Sequence, residues 1–198
     1  MSDFALKVMT NPYFHSIPDA TFYGMLREIA IGLRAEVVSR HHSGELKRNS
    51  LGLCLMDPTK PRRTAPEDAI LALLAIGSEG RAFLPNGVGK AFEHWEYGQD
   101  CGTLAYVKPY MLPDGSFVFG HSVDVEGTIV GASGATEAQD RFLATCFGAE
   151  FNYRVTDARK AWREENPDSK WFCDQNLPDK AFTAAAQLLD DPKAGLLT

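Results

Sequence analysis

The sequence predicts an α+β fold: an antiparallel sheet with a strand meander, helices packed on it, an extra N-terminal helix and a C-terminal arm. Three observations predict it. Phe22, Leu26, Ile29, Leu33 and Val37 recur at helical spacing. Two turn signals, Pro113-Asp114-Gly115 and Asp124 to Gly127, divide short apolar runs into three antiparallel strands. Gly127 to Ala144 reads as a turn, a short buried strand, a glycine elbow and a capped helix.

The elements follow in order. Ser16-Ile17-Pro18-Asp19 opens the first helix, with Ser16 as cap and Pro18 and Asp19 in the first turn. His41 and His42 lie at its end, and Gly44 stops it. Leu51 to Met56 is an apolar run that suits a central strand. Thr64-Ala65-Pro66-Glu67 has the form of a capping box and predicts a buried helix carrying Ile70, Leu71, Leu73, Leu74 and Ile76. Gly77 to Gly87 reads as irregular, followed by a short helix with Lys90, Ala91, His94 and Trp95. Thr103 to Tyr110, Ser116 to Ser122 and Thr128 to Ser133 are the three meander strands. Thr136 and Gln139 form a capping box for a helix reaching about Glu165, with Phe142, Leu143, Phe147, Phe151 and Val155 facing inward. One domain spans residues 1–165, and residues 166–198 form an arm whose Trp171 and Phe172 suit docking on the body or a second subunit.

Composition narrows the function. The chain has 198 residues, 44% hydrophobic and 23% charged, as ordinary globular proteins do. A net charge of −6 gives no basic face for nucleic acid. No apolar run approaches the roughly 20 residues that span a bilayer, so no membrane partner is expected. The start of the chain lacks a signal pattern, and a cytoplasmic location is expected. Cys54, Cys101, Cys146 and Cys173 are widely spaced, with no metal or disulfide framework; Cys54 and Cys146 read as buried thiols.

The run Asp124-Val125-Glu126-Gly127-Thr128-Ile129-Val130-Gly131-Ala132-Ser133-Gly134, followed by Gln139-Asp140, resembles the GlcG/HbpS-like family of small α/β domains. The likeness covers roughly residues 50–155, with Leu51 to Asp57 and Lys90-Ala91 adding to it. That family includes haem-binding and corrinoid-associated members, so it implies a haem- or tetrapyrrole-binding module. The N-terminal helix, the segment from Thr59 to Asn86 and the C-terminal arm depart from the family pattern. As a whole the chain looks more like bacterial 4-hydroxylaminobenzoate lyases. Arg48 to Arg63 and Ala75 to Arg81 carry this second resemblance. It implies conversion of a small aromatic substrate to protocatechuate with ammonia release, and no cofactor.

Such a reaction needs an acid to help hydroxide leave nitrogen, a base to activate water, and a cation for the carboxylate. Glu79, flanked by glycines in Gly77-Ser78-Glu79-Gly80-Arg81, is a candidate acid or base; the plainer alternative is a solvated loop residue. Arg81, or Arg62 with Arg63, suits the carboxylate. Lys90 and His94 share a helix face, and His94 suits proton transfer near neutral pH. Strand alternation groups His121 with Phe117 and Phe119, so His121 is a further catalytic candidate. Trp95 is a flat surface for an aromatic ring, and Ser133 is placed to hydrogen-bond substrate. No histidine spacing marks a metal site. The long helix and aromatic tail exceed what a small sheet needs, so a homodimer or higher homo-oligomer is expected.

Overall fold

Leu51–Met56 is buried at every position and forms the middle strand of a five-stranded sheet. A computed structural model describes residues 3–62, 64–111 and 120–169. The elements are β1 (Phe4–Val8), α1 (Asp19–His42), β2 (Leu51–Met56), α2 (Pro66–Ala69), β3 (Ile70–Ile76), α3 (Gly80–Tyr97), α4 (Cys101–Val107), a 3-10 turn at Pro109–Met111, β4 (Ser122–Val125), β5 (Thr128–Ser133) and α5 (Glu137–Glu165). The sheet order is β1-β3-β2-β5-β4, and every neighbouring pair is antiparallel. The fold is therefore α+β, with helices packed on an antiparallel sheet.

Strand alternation sends side chains to two cores. Leu51, Leu53, Leu55, Leu74, Ile76, Val130 and Ala132 meet α1 and α5 on one face. From α1 come Phe22, Leu26, Ile29, Leu33 and Val37, and from α5 Leu143, Phe147, Phe151 and Val155. Phe22 and Phe151 meet edge to face at 6.2 Å. On the other face Cys54, Met56 and Ile129 pack against Ala91 and Trp95 of α3. Burying each large apolar side chain contributes about 2 kcal/mol.

Two short-range signals hold. Glu126 (φ 52°) and Gly127 (φ 87°) make the two-residue turn of the β4–β5 hairpin. Gln139 closes the start of α5 by accepting from the Thr136 N–H at 3.1 Å and from its hydroxyl at 2.9 Å.

Other elements differ from expectation. The segment from Ile70 to Ile76 is a strand, and only Pro66–Ala69 is helical, with Ala65 rather than Thr64 at its N-cap. A strand covered on both faces carries the same unbroken apolar run as a buried helix. The region expected to be irregular from Gly77 is mostly helix, since α3 begins at Gly80 and passes through Pro85. Thr103 to Val107 is helical, because Asp100 caps α4 by accepting from the Thr103 N–H at 3.0 Å. The meander thus lacks its first expected strand, and β4 starts at Ser122. Pro18, not Ser16, occupies the N-cap of α1; the Ser16 hydroxyl donates to the Tyr13 carbonyl instead. Phe142 is exposed beneath the Arg40 guanidinium, 4.3 Å from its ring centre. The turn at Pro113, Phe117, Phe119, and the arm from residue 170 on lie outside the described residues.

Candidate functional site

The residues singled out from the sequence fall in three separate places. Glu79 and Arg81 sit at the start of α3. The Glu79 N–H donates to the Ser50 hydroxyl at 3.2 Å, and its exposed carboxylate lies 3.8 Å from Arg48. Arg81 borders a shallow polar groove with Asp3, Ala75 and Ser78. His94 lies in the last turn of the same helix, roughly 22 Å further along at about 1.5 Å of rise per residue. Glu79 and His94 therefore do not share one small substrate.

Lys90, Trp95 and Ser133 are interior residues. Lys90 is 2% exposed, and its ammonium donates to Asp140 and to the Ala132 carbonyl, both at 2.9 Å. Asp140 also accepts from the Ala135 N–H at 2.9 Å. The N–H groups of Ala135 and Thr136, just before α5, are thus served by Asp140 and Gln139, and Lys90 is the counterion of Asp140. Trp95 fills the core under α3, with Phe92 at 5.9 Å. Ser133 is buried opposite Gly52 of β2.

His94 bonds to Ser122, the first residue of β4, and His121 immediately precedes it. Nδ1 of His94 lies 2.9 Å from the Ser122 hydroxyl, in a buried setting. Burial holds this imidazole below its ordinary pKa; Asp124 and Asp100 oppose that effect, and Arg62 adds to it. Arg62 packs its guanidinium against Gly98, the residue that ends α3 in a left-handed conformation. Arg62 therefore stands on the side of His94, whereas Arg81 does not.

His121, the residue before Ser122, is held by different groups. Its Nδ1 lies 2.9 Å from Asp100, and its Nε2 lies 3.7 Å from the Glu137 carboxylate. The imidazole packs against Gly102 in the first turn of α4, where any Cβ would strike the ring. Burial alone would raise the pKa of Asp100. The hydroxyl and N–H of Thr103, with His121, outweigh burial and hold the carboxyl below its ordinary value. Asp100 is thus a stable carboxylate that fixes the ring by its Nδ1. The side chain of His121 is 26% exposed, enough to meet a solute.

Sequence reasoning missed Asp100, Gly102, Ser122 and Glu137 as groups of this site. The spacing of Asp100 and Thr103 is an N-cap signal that would have placed α4 beside His121. Nothing local marks the pairing of Ser122 with His94, which depends on α3 crossing the sheet.

Among the described residues no three His, Cys, Asp or Glu side chains converge as metal ligands, and no helix is long and apolar enough to cross a membrane. Comparison with known proteins returns no match: no family model fits the chain, and no curated protein or solved structure is significantly similar to it. Fold and site together define an α+β protein with a carboxylate-held histidine at one end of its sheet.

Proposed function

We propose that the protein is a lyase that converts 4-hydroxylaminobenzoate to protocatechuate and ammonia, with His121 as the proton-transfer group. The observation that supports this is the Asp100–His121–Glu137 arrangement, in which one imidazole nitrogen is fixed by a carboxylate, the other lies 3.7 Å from a second carboxylate, and the side chain is partly exposed. The N–O bond breaks as a proton reaches the departing hydroxyl. Water, losing a proton to a base, attacks the adjacent ring carbon. A second water then hydrolyses the ring imine and releases ammonia. The nitrogen is reduced as the ring is oxidised, and the sum consumes one water, so no external oxidant enters the balance.

His121 serves the first two steps, with Glu137 as the nearby second carboxylate. His94, buried and low in pKa, is a neutral hydrogen-bonding group of the site wall. Arg62, on the same side as His94, is the cation for the substrate carboxylate. Glu79 and Arg81 lie too far along α3 to take part. The enzyme acts in the cytoplasm as a homo-oligomer.

The test is an assay of ammonia and protocatechuate from 4-hydroxylaminobenzoate. The wild type releases both. His121→Gln lowers kcat about a hundredfold or more, as loss of a general acid–base group does. Asp100→Asn lowers it less and alters the pH profile. Absence of both products from the wild type rejects this function.

A haem- or tetrapyrrole-binding role is the second reading, and the carboxylate on Nδ1 of His121 favours it, since such a partner commonly orients an axial histidine. The fit is partial: the described neighbours of the ring, Asp100, Gly102 and Glu137, offer no apolar plate for a macrocycle. A saturable Soret band on hemin titration, abolished by His121→Ala, would select this role.

A further inference from the structure

Among the described residues, the outer edge of the sheet is open at β1. The Asp3 carbonyl accepts from the Gly77 N–H at 2.7 Å, and the Met9 N–H donates to the Leu71 carbonyl at 2.8 Å. The odd-numbered residues of this strand therefore bond to β3, and the backbone groups of Phe4, Leu6 and Val8 point away from the sheet. Among the described residues β1 pairs only with β3. Beside this edge lies a groove of about 500 Å³ lined by Phe4, Leu6 and Val8 of β1 and by Tyr23 and Arg27 of α1. An open edge next to an apolar groove is the geometry of strand addition: backbone bonds join the edge, and alternate side chains enter the groove.

The strand is complementary to itself. In an antiparallel pair centred on Ala5, Asp3 of one copy stands opposite Lys7 of the other, and Phe4 stands opposite Leu6. Opposed residues share a sheet face, so the partner's Phe4 and Leu6 enter the α1 side, where the groove is. The two Asp3–Lys7 pairs then flank these apolar contacts; Asp3, just before β1, also pairs with Arg34 of α1 at 2.6 Å. Phe4 and Leu6 carry the outward backbone groups, so each Phe4–Leu6 pair exchanges two hydrogen bonds and Ala5 meets Ala5 as the non-bonded pair on the dyad. An offset by one residue would put apolar side chains against charged ones.

We propose that two copies of this chain pair through β1, antiparallel about Ala5, and join their sheets into one. The surface is small and has few apolar anchors, so the dimer dissociates on dilution.

The full-length chain tests this by sedimentation and by cross-linking. The wild type shifts from monomer to dimer as concentration rises. Lys7→Asp, a change at an exposed position, sets like charges opposite each other and weakens the dimer about tenfold or more. Lys7→Arg, which keeps the positive charge opposite Asp3 and leaves the Asp3–Arg34 pair intact, retains the dimer. Ala5→Cys yields an oxidised dimer beyond the wild-type background, because a non-bonded pair holds its Cα atoms about 4.5 Å apart, within disulfide reach. Lys7→Cys, which faces Asp3 rather than itself, yields less. Melting curves confirm that each variant is folded. A wild type that stays monomeric, an unchanged dimer in Lys7→Asp, or Ala5→Cys no more cross-linked than Lys7→Cys overturns the proposal.

Discussion

His94 shows how one side chain carries both a packing role and a pH dependence. Its ring is buried under the last turn of α3, with Nδ1 against the Ser122 hydroxyl. Burial favours the neutral ring, so its pKa in the folded protein lies below the ordinary 6.5. In the unfolded chain the ring takes up a proton near that ordinary value. Between the two values the unfolded state binds more protons, and stability rises with pH. This contribution is complete above the unfolded pKa and is lost as pH falls below it. The urea midpoint of the wild type should therefore drop between about pH 7 and about pH 5, and His94→Gln should drop less across that range. Equal slopes for the two proteins would show that His94 is not the source. Asp100 behaves in the other sense of charge: its depressed pKa keeps it ionised through this range, so the hold on His121 persists while His94 titrates.

At the scale of elements, α3 is pressed onto the sheet by missing side chains. A Cβ at Gly131 would strike the Gly87 carbonyl and come within 2.6 Å of the Ala91 N–H nitrogen. A Cβ at Gly52 would come within 2.5 Å of the Leu84 nitrogen. Gly131 therefore serves helix–sheet packing, with the α3 backbone lying directly against it. Gly131→Ala should cost about 3 kcal/mol in denaturant unfolding, the upper part of the range for overpacking. A loss under about 0.5 kcal/mol would mean that α3 moves away from the sheet freely. Gly134 has a different reason for being glycine: its φ of 145° suits no other residue well, and a Cβ there would lie 2.5 Å from the Ser50 carbonyl oxygen. The sequence showed both glycines, the β4–β5 turn and the Thr136–Gln139 box, because each is a local constraint written in adjacent residues. It hid β3, since burial on both faces erases the alternation that marks a strand. It also hid α4, where Thr103, Tyr106 and Val107 favour a strand and the Asp100 cap with tertiary contacts prevails. Of the site, His94 and His121 were legible as residue types, whereas Asp100 and Ser122 become partners only after α3 and α4 are placed.

At the scale of the whole molecule, the Lys90–Asp140 pair ties three elements across the sheet. Lys90 belongs to α3, the Ala132 carbonyl to β5, and Asp140 to α5. Helices that pack on opposite faces are thereby joined near the end where His121 lies. Desolvating two charges is costly, so the pair itself adds little net stability over an apolar substitute, but removing one partner strands the other. Lys90→Met should therefore cost about 3–5 kcal/mol. Asp140→Asn keeps an acceptor for the Ala135 N–H and removes the charge, so it should also destabilise while preserving the start of α5. The two changes together should cost less than their sum, with a coupling of about 1–3 kcal/mol in a double-mutant cycle. Additive losses would mean that the charges do not act as a pair. The same cycle reports on the site, because Glu137 lies one helical turn before Asp140 and approaches Nε2 of His121. If the pair holds that turn in place and the proposed lyase activity is present, Lys90→Met should lower kcat at temperatures where the protein is still folded, and the double variant should recover part of it. A kcat unchanged in folded Lys90→Met would confine the pair to stability and leave the position of Glu137 to the helix cap alone.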